Sequence, residues 1–211
     1  MRRRSFFFLV AATLPDWGRA LVKPGVLEDF SRQYGFQAVR RLNAWRDLMD
    51  EISGLPLPSR LTRTNAFFNQ LAFAEDGEQF GSRDYWATPL EFLGRGRGDC
   101  EEFAIAKYVT LVKGGVPLEQ LRITYVKALE LNQAHMVLTW ADKPGDIPLV
   151  MDNLIAEIKP ANQRKDLLPV YSFNAESLWL TQGNNEKYVA DSSRVGRWQD
   201  LRERMAKEIV L

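Results

Sequence analysis

Cysteine and histidine are almost missing from this chain: among its 211 residues there is one of each, Cys100 and His135. A lone cysteine excludes an intramolecular disulfide, so cysteine usage says nothing about redox compartment. An excess of charge of one sign is missing too. Lys plus Arg total 28 against 27 Asp plus Glu, so no net field draws the chain to nucleic acid or an anionic membrane. Internal repeats and low-complexity tracts are absent. The glycine-broken run Gly94-Arg95-Gly96-Arg97-Gly98 follows no strand and precedes no Gly-Lys-Ser/Thr, which excludes a phosphate loop and with it nucleotide binding.

What remains is an ordinary globular composition with a hydrophobic fraction of 45%, suited to one domain with a real core. Met1-Arg2-Arg3-Arg4 followed by Phe6-Phe7-Phe8-Leu9-Val10 has the charged and apolar parts of a secretory signal. The apolar run is too short to span a bilayer, and Pro15-Asp16-Trp17 stands where a cleavage site needs small residues. Residues 1–25 are therefore expected to be an N-terminal arm or degenerate signal, with export as the expected fate. Residues 26–211 form one domain: helical over 26–113, β-rich over 121–175, with a C-terminal helix over 195–210.

Within the helical part, Phe36, Val39, Leu42, Trp45, Leu48, Met49 and Ile52 recur at helical spacing, and Gly35 is expected to divide two helices. A helix is predicted over Leu61–Phe73 after a linker at Pro56 and Pro58, and a loop over Glu75–Tyr85. Thr88-Pro89-Leu90-Glu91 starts a short helix with a capping box. A mostly apolar helix follows over 100–112, stopped by Gly114-Gly115 and Pro117. From Ile123 the hydrophobic period becomes two, and strands are expected around 123–128, 134–140 and 149–152, paired antiparallel.

The chemistry concentrates at Gly98-Asp99-Cys100-Glu101-Glu102. A thiol attacks as its thiolate, which the positive end of a helix macrodipole stabilises. The preceding glycines would let the backbone approach a substrate closely, leaving the Cys100 N–H to face a carbonyl oxygen. His135 on one strand and Asp152 at the end of the next complete the order of a Cys-His-Asp triad, provided that His135 shares a strand face aimed at the helix start. The indole N–H of Trp86 is a second candidate oxyanion donor. Asp99, Glu101 and Glu102 crowd the thiol with negative charge, which opposes thiolate formation. A helix start accounts for one or two acids, not three. A hard cation held by Asp99 and Glu101 would remove the conflict, and oxygen ligands suit Ca²⁺ better than Zn²⁺.

The runs Tyr85-Trp86-Ala87-Thr88-Pro89, Gly98-Asp99-Cys100-Glu101, Ala104-Ile105-Ala106-Lys107-Tyr108, Tyr125-Val126-Lys127-Ala128, Asn132-Gln133-Ala134-His135-Met136-Val137 and Asp152-Asn153-Leu154 resemble the bacterial transglutaminase-like cysteine proteinases. Leu167–Asn174 and Arg197–Leu201 are similar too, so the likeness covers roughly residues 28–205. The resemblance implies an α+β, papain/transglutaminase-like fold, in which the nucleophile helix packs on an antiparallel sheet with flanking helices. It implies a triad of Cys100, His135 and Asp152 and a Ca²⁺ site at Asp99 and Glu101. It further implies a periplasmic endopeptidase that cuts the N-terminal region of a large biofilm adhesin after an Ala-Ala pair, under control of an inner-membrane cyclic-di-GMP receptor. Residue types alone leave two rivals open, a protein transglutaminase using the same thioester and a non-catalytic calcium-binding module.

Overall fold

The computed structural model describes residues 21–81, 84–182 and 185–210, so the expected signal within residues 1–20 lies outside the described residues. Of residues 21–25, expected to belong to the N-terminal arm, Leu21 is buried, Val22 bridges Ile209 near the C-terminus, and Pro24 and Gly25 are exposed.

Helix α1 runs Val26–Ser53 and is broken at Gly35, whose φ of 76° and ψ of −176° are not helical, so the expected division into two helices is observed there. Its buried stripe is Phe30, Ala38, Leu42, Trp45, Leu48, Met49 and Ile52. Phe36, counted in the stripe from its spacing, is 73% exposed; the break at Gly35 resets the helical phase and turns it outward. Helix α2 spans Leu57–Phe68, earlier than the predicted start, because Pro56 and Pro58 begin it rather than linking to it. Residues 72–73 form the short strand β1 (Ala72–Phe73) instead of the helix end, and the expected loop contains helix α3 (Asp76–Phe80).

Helix α4 (Pro89–Arg95) carries the predicted Thr88–Glu91 capping box. Strand β2 (Arg97–Gly98) pairs in parallel with β1 and leads into helix α5 (Cys100–Lys113), buried along most of its length as its apolar character predicts. The glycines before α5 allow close packing. A Cβ on Gly98 would come within 2.8 Å of the Phe92 ring and 2.9 Å of Glu102 Cβ, and Gly96 lies at a left-handed φ of 71°.

The rest is a seven-stranded antiparallel sheet in the order β6-β5-β4-β3-β7-β8-β9. Its strands are β3 (Leu121–Ala128), β4 (Gln133–Trp140), β5 (Leu149–Met151), β6 (Lys159–Pro160), β7 (Leu167–Phe173), β8 (Ser177–Gln182) and β9 (Asn185–Asp191). The sheet thus extends past the expected limit at residue 175. Helix α6 (Gly196–Glu208) closes the chain, burying Trp198, Leu201 and Met205. Met136, Leu138 and Met151 join the helical core, whereas Val126, Val137 and Val150 form a small cluster apart. An α+β architecture with the nucleophile helix packed on an antiparallel sheet is the predicted one. No helix among the described residues is long and apolar enough to cross a membrane.

Candidate active site

Cys100 opens α5, where the first backbone amides of a helix lack intrahelical partners. Asp99 is the N-cap, its carboxylate accepting from the Glu101 amide at 3.3 Å. Glu102 is buried and bridges two backbone amides, accepting from Ala87 at 2.8 Å and from Asp99 at 3.0 Å. One of the three crowded acids is therefore explained as a structural acceptor that ties the helix start to the preceding loop. Arg204 from α6 holds the same loop from outside, donating to Glu91 at 2.8 Å, to the Tyr85 hydroxyl at 3.0 Å and to the Trp86 carbonyl.

The other two acids act on the thiol. Cys100 Sγ donates to Glu101 Oε2 at 2.8 Å. Burial pushes the thiol pKa up, and the charge and hydrogen bond of Glu101 and the charge of Asp99 push it further; an amide hydrogen bond from Met136 opposes them. That amide is available because β5 pairs with β4 only along Leu138–Trp140, leaving residues 133–137 without a strand partner on that side. The thiol thus meets β4 one residue from His135. By alternation His135 falls on the side of Val137, opposite the core-facing Met136 and Leu138.

His135 is buried, and its Nε2 lies 2.8 Å from Asp152 Oδ1. Asp152 follows the last residue of β5 and is 1% exposed. Its Oδ1 also accepts from the Leu154 amide at 3.0 Å, and its Oδ2 accepts from Arg164 Nη2 at 2.6 Å. Burial alone would raise this carboxyl, but the hydrogen bond and charge of His135, with the Leu154 and Arg164 bonds, hold it down at about 2. With Nε2 engaged, Nδ1 is the imidazole nitrogen left for the thiol. The Trp86 Nε1 donates to Asp84 Oδ1 at 3.3 Å, and the buried ring stacks on Phe173 at 5.7 Å. The Cys100 amide stands at the first turn of α5, where helix amides lack intrahelical partners.

Carboxylate oxygens of Asp76, Asp99 and Glu102 lie within 4.8 Å of one another, and a second group joins Asp99, Cys100 and Glu101. Asp76 Oδ1 is buried without a hydrogen-bond partner, while Oδ2 accepts from the Tyr85 amide. Burial and the charge of Asp99 raise the Asp76 carboxyl to about 7, and burial with the hydrogen bond and charge of Glu101 raises Asp99 to about 7. Asp76 escapes sequence reading because it stands 23 residues before Asp99 in a stretch that reads as loop. Arg164 escapes it because nothing local marks a surface-type residue as 3% exposed.

A family model for bacterial transglutaminase-like cysteine proteinases matches residues 57–186. No curated protein sequence matches the chain. Among solved structures, EGTA-treated LapG of Legionella pneumophila is 45% identical, with a TM-score of 0.77, covering 85% of this chain and 95% of that one. A second Legionella pneumophila LapG structure is also 45% identical, with a TM-score of 0.75 over 85% and 95% of the two chains. The calcium-bound form is 44% identical, with a TM-score of 0.74 over 85% and 97%. A thiol at a helix start beside a buried His–Asp pair, on this fold and at this identity, places the chain in the family of bacterial transglutaminase-like cysteine proteinases.

Proposed function

We propose that the chain is a calcium-dependent cysteine endopeptidase in which Cys100 is the nucleophile, His135 the general base and acid, and Asp152 the group that orients His135. The observation that carries this reading is the buried 2.8 Å contact between His135 Nε2 and Asp152, one strand residue from the amide that donates to the Cys100 sulfur. Nδ1 takes the thiol proton, and Asp152 stabilises the imidazolium that results. The sulfur attacks the peptide carbonyl carbon, and the oxyanion faces the Cys100 amide at the helix N-terminus. The imidazolium protonates the leaving amine and a thioester remains. His135 then takes a proton from water, the hydroxide adds to the thioester carbonyl, and the proton returns to the departing sulfur.

The residues fit a hard cation. The donors are carboxylate oxygens, and Asp76 Oδ1 is buried without a hydrogen-bond partner. Asp99 and Glu101 would hold Ca²⁺, with Asp76 adding a third carboxylate. The ion would supply positive charge against the acids that now hold the thiol protonated.

We assign the enzyme to the periplasm, with a large biofilm adhesin as substrate, cut in its N-terminal region near an Ala-Ala pair. An inner-membrane cyclic-di-GMP receptor is the proposed regulator. These assignments rest on the family and on 45% identity to Legionella pneumophila LapG. The test mixes the purified chain or its Cys100→Ala variant with an N-terminal adhesin fragment, in Ca²⁺ or EGTA. Cleavage by the unaltered chain in Ca²⁺ alone is the expected result. Cleavage by Cys100→Ala, or full activity in EGTA, would refute the reading. Incorporation of a labelled amine into a glutamine-bearing protein without hydrolysis would transfer it to the transglutaminase.

A further inference from the structure

The orienting acid is itself held by a second layer. Arg164 Nη2 donates to Asp152 Oδ2 at 2.6 Å and to Asp166 Oδ2 at 2.8 Å, while Nε donates to Asp166 Oδ1 at 3.0 Å. The guanidinium is buried, with its side chain 2% exposed against 28% for Asp166. Its backbone is pinned on both sides: the Arg164 amide donates to the Ala161 carbonyl at 3.0 Å, and its own carbonyl accepts from Leu167 at 3.1 Å. The Asp166 carbonyl accepts from Leu129, beyond the end of β3, at 2.8 Å. A buried guanidinium is costly unless its geometry is needed and its charge is matched.

We infer that Arg164, kept in place by Asp166, is the positioning residue that fixes the Asp152 carboxylate toward His135. The inference rests on the triad reading above. With Oδ2 committed to the guanidinium, Asp152 has one oxygen for the imidazole and cannot rotate away from it. The charges also fit. Two carboxylates against one guanidinium leave one net negative charge beside His135, which matches the imidazolium formed when the thiol gives up its proton. Without Asp166, the guanidinium would cancel the charge of Asp152 and weaken that match. Lys107 on α5 also acts on this carboxylate; burial lowers its ammonium to about 7, so the count of one net negative charge holds above that pH.

His135 is the sole histidine, so its imidazole gives unambiguous ¹⁵N resonances. The experiment compares the Ca²⁺-loaded full chain with Arg164→Gln and Arg164→Lys. It follows the proton on Nε2 by NMR and measures kcat and KM on the adhesin fragment. Arg164→Gln should lose the protected Nε2–H signal and drop kcat about 10²-fold with KM little changed, the cost of a misplaced catalytic group. Arg164→Lys keeps the charge but not the fork, so it should retain a displaced signal and an intermediate kcat. A folded Arg164→Gln with the parental imidazole spectrum and kcat within about twofold would overturn the inference. If Arg164→Gln does not fold, a parental spectrum and kcat in Arg164→Lys would overturn it equally. The NMR result stands even if the fragment is not a substrate, so failure of the substrate assignment is read separately.

Discussion

Glu102→Ala is the substitution that best tests how the nucleophile is held. Glu102 is 1% exposed and accepts from two backbone amides, Ala87 at 2.8 Å and Asp99 at 3.0 Å. Alanine strands both donors beside a side chain that is buried in the fold. Each buried orphan costs about 1–3 kcal/mol, so the pair costs about 2–6 kcal/mol. For a chain of this size that lowers Tm by about 5–20 °C. Glutamine keeps one acceptor but sets an NH₂ against the other amide, so Glu102→Gln should fall about half as far. One effect runs the other way: burial and the charge of Asp99 raise the Glu102 carboxyl, and its removal relieves repulsion. A cation held by Asp99 would offset that repulsion, so the loss should be larger in Ca²⁺ than in EGTA. Thermal unfolding followed by circular dichroism in both conditions makes the comparison. A midpoint for Glu102→Ala within about 1 °C of the parent in Ca²⁺ would refute the bridging role.

Iodoacetamide should alkylate Cys100 faster in Ca²⁺ than in EGTA, about tenfold for each unit by which the thiol pKa falls; equal rates by mass spectrometry would remove the cation from thiol activation. Asp76→Asn should weaken Ca²⁺ binding in calorimetry by at least about tenfold, because it deletes one charge from an oxygen-lined site; unchanged affinity would exclude Asp76 as a ligand. Burial lowers the Lys107 ammonium from 10.5 to about 7, with Asp152 opposing. Between those values the unfolded chain holds a proton that the folded chain lacks, so this lysine makes stability rise with pH across that window. Lys107→Met should therefore be more stable than the parent below pH 7, by up to about 3–6 kcal/mol, with the advantage gone above pH 10.5. Urea midpoints for both chains at pH 6 and at pH 10.5 measure it, and a pH-independent difference would contradict the assignment.

Local signals accounted for the elements that carry the chemistry. The Thr88–Glu91 capping box is visible in four consecutive residues, and the apolar run after Cys100 announces a buried helix before any partner is known. The alternation around His135 marks a strand for the same reason: side-chain direction depends on the residue's own neighbours. Strands β8 and β9 carry no sequence signal because burial does not alternate along 177–181 or 187–191, where side chains are half-buried or exposed. Phe36 was misplaced because a helical wheel assumes continuous phase, which Gly35 interrupts. The Trp86–Asp84 hydrogen bond is not legible in sequence, because nothing around Asp84 marks it as an acceptor.

The sequence by itself determined which helix bears the thiol, which strand bears His135, which strand ends just before Asp152, and that three acids beside a nucleophile needed an account. Tertiary structure alone decided what those acids do: Glu102 bridges two amides, Glu101 holds the thiol, and Asp99 meets Asp76 from a distant helix. It alone brought Arg164 and Asp166 behind Asp152 and turned the free flank of β4 toward Cys100. The physical reason is range. Capping and alternation are set by residues within a turn or a pleat, whereas burial of a charge and the partner that satisfies it depend on segments that only the folded chain brings together.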